Sequence, residues 1–132
     1  MTEPRRAETS RTTKETAIEI VVVVDGSGTT EVTTGLPFFD HMLDQLGRHS
    51  GMDLTVRAAG DLEIDSHHTV EDVGIALGET FRSALGDKVG VRRFASITVP
   101  LDEAAVEVVL DLSGRPYLHY AVSYTHLTLP TS

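Results

Sequence analysis

Cysteine is absent from the 132 residues, which excludes disulfides and thiolate metal sites alike. Such a chain fits a reducing compartment. Basic side chains are scarce: 11 Lys and Arg stand against 20 Asp and Glu, for a formal net charge of -9. No nucleic-acid partner is expected on that balance, because phosphate backbones need a positive surface, although a local basic pocket for a small phosphate is still allowed. Long apolar runs are also missing. The longest, Ile20 to Val24, is far too short to cross a bilayer, so no membrane role is expected. Neither type of Gly-rich phosphate loop occurs, and there is no Gly-x-Ser-x-Gly nucleophile elbow. Residues 1–11 are polar and lack the apolar core of a signal peptide. They read as a disordered leader, and the cytoplasm is the expected location.

What is present suits one globular domain. Hydrophobic residues make up 40% of the chain, and a chain of this length buries a core without covalent staples. Ala17 to Val24 is β-branched and partly alternating, which predicts a strand. The glycine-containing turn Asp25–Gly28 and a Thr-rich segment, Thr29 to Thr34, follow it and predict a hairpin. Pro37 sits well as the first residue of a helix running to about His49, with Phe39, Leu43 and Leu46 as its apolar stripe. Leu54, Val56 and Ala58 alternate with polar neighbours as a half-buried strand. A second helix is expected from Ser66, read as its N-cap, to a stop at Gly86, with Val70, Val73, Leu77, Phe81 and Leu85 on one face. Ile97–Leu101 and Ala104–Leu112 read as two further strands. The mixture predicts an α+β fold, a mixed sheet with helices on one face.

A faint repeat links Glu15–Ile20 (ETAIEI) with Glu103–Val108 (EAAVEV). If the first unit is strand, strand, helix, strand, helix, a second unit begins near Ile97 and stops after its first strands; chance similarity of two strands is the alternative. The tail, residues 121–132, has no acidic residue and is rich in Thr and Leu, unlike the remainder. It reads as an atypical tail, and no function is assigned to it.

His67-His68-Thr69-Val70-Glu71 is the richest chemical candidate. On a helix His67 and Glu71 share one face, whereas His68 points about 100° away. Imidazole and carboxylate without sulfur suit Mn, Fe, Co, Ni or Zn. An adjacent pair among six histidines is weak on its own; Glu71 at helical spacing strengthens it. His41 and Gln45 are also four apart, beside the apolar stripe, where a solvated histidine is the ordinary alternative to a ligand. Gln45 can orient a water or a hydroxyl but cannot transfer protons. Arg92-Arg93 and Arg115 are candidate phosphate binders because the guanidinium fork donates bidentate hydrogen bonds. Glu15 is a candidate acid or base. Asp61, Glu63, Asp65 and Asp72 are expected to decorate the surface.

Five segments together resemble the imidazoleglycerol-phosphate dehydratase family: Arg11–Thr16 (RTTKET), Gly35–Gln45 (GLPFFDHMLDQ), Asp65–Asp72 (DSHHTVED), Pro100–Ala104 (PLDEA) and Asp111–Tyr117 (DLSGRPY). The resemblance implies a dehydratase domain over residues 12–120 and a fold of two pseudo-symmetric half-units, of which this chain holds one and the first strands of the other. It implies a histidine-biosynthesis lyase that removes water from imidazoleglycerol phosphate to give imidazoleacetol phosphate, by way of a metal-bound imidazolate. By motif match His41, His67, His68 and Glu71 become Mn²⁺ ligands, Glu15 the acid–base residue, Gln45 its polar neighbour, and Arg93 and Arg115 phosphate binders. It further implies two Mn²⁺ ions per site and a homo-oligomer, a 24-mer with sites between subunits. The family's second His-His-x-x-Glu helix, a further metal-binding His, and a phosphate-binding Ser and Lys have no counterpart in these residues. On that ground the chain is expected to be C-terminally truncated and of doubtful activity alone.

Overall fold

The computed structural model describes residues 2–122. The element order is β1 (Arg6–Thr12), β2 (Thr16–Val23), β3 (Thr30–Thr33), α1 (Pro37–Ser50), β4 (Asp53–Gly60), α2 (His67–Leu85), β5 (Phe94–Leu101) and β6 (Ala104–Asp111). Two compact units divide it, the first ending at Val91 and the second beginning at Arg92.

In the first unit a four-stranded mixed sheet has the order β1-β2-β4-β3. β2 pairs antiparallel with β1 and β4, whereas β3 runs parallel to β4. Register places Val22 beside Leu54, Ile20 beside Val56 and Ile18 beside Ala58. Because side chains alternate along a strand, these residues share one face. That face and the inner sides of both helices form one core: Ile18, Ile20, Val22, Leu43, Leu54, Val56, Val73, Ala76 and Ala84 are buried together. α1 packs on β3 and β4, and α2 on β1, β2 and β4. The α+β class, the mixed sheet and the helices on one face are as expected.

Four expectations change. Residues 6–12 are not a disordered leader but the edge strand β1. Its Ala7, Thr9 and Arg11 turn inward while the alternate residues are exposed, and its order comes from backbone pairing with β2 rather than from apolar content. The β2–β3 hairpin does not form, because β2 is flanked by β1 and β4 and the Thr-rich segment crosses to the far edge. The α1 stripe is narrower than expected: Leu43 is buried but Leu46 is 44% exposed. On α2, Val73 and Leu85 are buried and Leu77 and Phe81 pack on the core as expected, but Val70 is exposed, and Thr69, Ala76, Thr80 and Ala84 join the buried face. Small residues there let the helix approach the sheet closely. Most of the atypical tail, from residue 123 onward, lies outside the described residues.

The second unit contains an antiparallel hairpin, β5 with β6. Asp102 takes a left-handed conformation (φ 49°) at its turn. The faint sequence repeat falls on equivalent positions: Glu15 and Glu103 each immediately precede the second strand of a hairpin, β2 and β6.

Candidate active site

The Thr16 end of β2 lies against the first turns of α2. In the turn before β2, Thr13 Oγ1 accepts from the N–H groups of Glu15 and Thr16, both at 3.1 Å, and donates to Glu15 Oε2 at 3.2 Å. One hydroxyl therefore orients both the backbone and the carboxylate of Glu15. Thr16 pairs with Gly60 at the far end of β4. Just beyond that pair the Asp61 N–H donates to the Glu15 carbonyl at 3.1 Å. Gly60 is required here, since a Cβ would run into Thr69 Oγ1 on α2.

α2 opens differently from expectation. Ser66 makes no side-chain cap and has helical dihedrals. Instead Asp65 Oδ1 accepts from the His67 N–H at 3.3 Å. Donation from the N–H groups of Ser66 and His67 holds the Asp65 carboxyl below its ordinary pKa. His67 Nε2 lies 2.9 Å from Glu71 Oε2, and both side chains are exposed, at 68% and 54%. That is the shared helical face that the spacing implied. The His68 ring meets the His67 ring edge-on, with centroids 5.7 Å apart. Its Nδ1 turns to Asp61 Oδ2 at 2.8 Å. The His68 pKa is raised, first by the hydrogen bond to Asp61 and further by the charges of Asp61, Glu15 and Asp72. The fold thus gathers Glu15, Asp61 and His68, with His67 and Glu71 on the adjoining face of α2.

Asp61 and Asp72 are not surface decoration. Their side chains are only 15% and 14% exposed. Asp72 accepts from Thr16 Oγ1 at 2.6 Å and lies 3.7 Å from the Arg11 guanidinium. Sequence reasoning missed both because their partners are remote in the chain. The available signal was an acidic residue seven positions before His68, close enough to serve its ring.

His41 and Gln45 lie on α1, and Arg93 and Arg115 belong to the second unit. His41 is exposed on α1, and Gln45 Oε1 is 3.0 Å from His49 Nε2. Among the described residues no three His, Asp or Glu side chains form a group able to hold a metal ion. The donors on α2 nevertheless suit a divalent cation in kind. They pair an imidazole nitrogen with a carboxylate oxygen, and a second imidazole has its other nitrogen anchored by a carboxylate. In the second unit, Arg93 Nε donates to Asp111 Oδ1 at 2.8 Å, and its guanidinium lies 4.9 Å from the Phe94 ring centre. The Arg115 N–H donates to Ser113 Oγ at 3.1 Å, and the residue is exposed.

The sequence profile of imidazoleglycerol-phosphate dehydratase matches residues 34–130. A relative of that name from Acidothermus cellulolyticus is 61% identical over 115 residues, covering 87% of this chain and 56% of the relative. One from Methylobacillus flagellatus is 58% identical over 125 residues, covering 95% of this chain and 63% of the relative. The crystal structure of the Staphylococcus aureus enzyme superposes with a TM-score of 0.78 at 32% identity, covering 96% of this chain and 68% of that one. The Pyrococcus furiosus enzyme, solved in complex with (S)-C348, gives 0.74 at 37% identity, with coverage of 87% and 60%. This chain therefore spans roughly three-fifths of the length of the two sequence relatives. On the profile match and these identities, the chain belongs to the imidazoleglycerol-phosphate dehydratase family.

Proposed function

We propose that the chain provides one half-unit, and the first strands of the other, of a cytoplasmic lyase of histidine biosynthesis, which dehydrates imidazoleglycerol phosphate to imidazoleacetol phosphate. The observation that carries this reading is the gathering of Glu15, Asp61 and His68 beside the His67–Glu71 pair. Family membership supplies the reaction. The difficulty of that reaction is an unactivated C–H bond beside the imidazole ring. His67, His68 and Glu71 would hold a divalent cation, Mn²⁺ in this reading, with His41 contributing to a site that further chain segments or subunits complete. Such a cation would supply positive charge that favours proton loss from a bound imidazole ring.

The remaining work falls to the side chains. Glu15, its carboxylate oriented by Thr13, moves the substrate proton. Gln45 orients a hydroxyl, and Arg93 and Arg115 hold the phosphate and so fix the position of the departing proton and hydroxyl. For Arg93 this means sharing its guanidinium between Asp111 and the ligand. Assembly into a homo-oligomer, a 24-mer for the complete protein with two Mn²⁺ per site, belongs to the same reading.

The test is Glu15→Gln in the full-length protein. Turnover falls by about 10² to 10⁴ with KM largely kept, and unchanged turnover removes Glu15 from the mechanism. A second reading is a non-catalytic portion of the enzyme. Metal analysis separates the two: weak, substoichiometric Mn²⁺ supports the second, and two ions per site the first.

A further inference from the structure

Asp61 connects two residues that the proposed mechanism uses. Its N–H is donated to the Glu15 carbonyl and its Oδ2 lies 2.8 Å from His68 Nδ1. The carboxylate is far less exposed than the ring it serves, 15% against 43%. Its second oxygen, Oδ1, is buried with no hydrogen-bond partner among the described residues. A solvated surface pair would leave both oxygens in water, so this carboxylate is held in place for its one contact.

We infer that Asp61 is a positioning residue that fixes the tautomer of His68. An ionised carboxylate only accepts, so the neutral ring must carry its proton on Nδ1 to make this contact. Nε2 is then left with its lone pair, facing away from Asp61. The His67 ring stands edge-on to that of His68, with centroids 5.7 Å apart. The bond from the Asp61 N–H ties the same loop to Glu15, so the acid–base residue and the donor nitrogen are set by one short segment. The consequence for cation binding rests on the reading of His68 given above; the tautomer itself does not.

The experiment is ¹H–¹⁵N long-range correlation on the full 132-residue chain labelled with ¹⁵N-histidine, at a pH where the rings are neutral, with His68→Gln to assign the signal. His68 is expected as the Nδ1–H form, whereas free histidine favours Nε2–H. In Asp61→Asn, whose amide can donate, the population shifts toward Nε2–H. A wild-type His68 already in the Nε2–H form overturns the inference, whatever the stability of the variant. So does a tautomer that Asp61→Asn leaves unchanged. Mn²⁺ alone is then added at trace levels and the broadening of the His67 and His68 ring signals followed. The concentration for half-broadening is expected to rise about 10- to 100-fold in Asp61→Asn. If the tautomer is as expected but Mn²⁺ broadens neither ring in the wild-type chain, the positioning of the ring stands and the cation reading of His68 falls.

Discussion

Thr16 Oγ1 donates a 2.6 Å hydrogen bond to Asp72 Oδ2, joining the first residue of β2 to the second turn of α2 across 56 positions of sequence. Thr16 is 4% exposed and the Asp72 side chain 14%. Removing one member of such a buried pair strands the other. Asp72→Ala is expected to destabilise the first unit by about 2–3 kcal/mol, and Thr16→Val by about 1–2 kcal/mol. The exposed Arg6–Glu8 pair serves as control, with Arg6→Ala within about 0.5 kcal/mol of wild type. Urea denaturation followed by circular dichroism measures all three; equal effects would remove the special standing of the buried pair.

Gly60 is fixed by space rather than by dihedral angle. A methyl group there meets Thr69 Oγ1, and Thr69 is fully buried. Gly60→Ala is expected to cost about 1–3 kcal/mol through overpacking. Adding Thr69→Ala, which removes the obstructing hydroxyl, should recover part of that loss, so the two changes are non-additive in denaturation. Strict additivity would show that the approach of β4 to α2 is looser than described.

Within the sheet core Ile20 is 1% exposed and Val56 is fully buried, and the two are register partners. Ile20→Ala should cost about 2–5 kcal/mol and Ile20→Val about 0.5–1.5 kcal/mol. A loss near zero for Ile20→Ala in thermal or urea unfolding would contradict its place in the core.

Arg5 clasps Asp25 through Nε at 3.0 Å, Nη2 at 2.7 Å and its backbone N–H at 2.9 Å. Donation from the guanidinium, then from the backbone, lowers the Asp25 pKa to about 2 from an ordinary 3.8. A carboxyl depressed on folding contributes stability above its unfolded pKa, and that contribution is lost as pH falls from near 3.8 toward 2. Arg5→Ala should return the titration of Asp25, followed by carboxyl ¹³C shifts, toward the ordinary value. A titration midpoint unmoved by the substitution would mean that the segment before β1 is not held.

Legibility in the sequence follows the range of the interactions. β2, β4, α1 and α2 were readable to within one or two residues because period-2 and period-3.6 apolar patterns are local. The His67–Glu71 pairing was readable for the same reason, since helix geometry alone brings i and i+4 together. β1 carries little apolar content, and its order depends on a neighbour that only the folded sheet supplies. The parallel placement of β3 beside β4 needs the intervening helix to cross over, which no local pattern encodes. Asp61 and Asp72 look like solvated charges until the chain closes and brings His68 and Thr16 to them.

The β5–β6 ribbon carries Ile97, Val99, Val106 and Val108, each between 51% and 62% exposed. In β2 the alternate residues Thr16, Ile18, Ile20 and Val22 are at most 4% exposed. A two-stranded ribbon with water-facing β-branched side chains and open hydrogen-bonding edges is a template for strand addition by other molecules. Self-association of this chain should therefore rise steeply with concentration, making dilution an experimental variable as consequential as pH or metal.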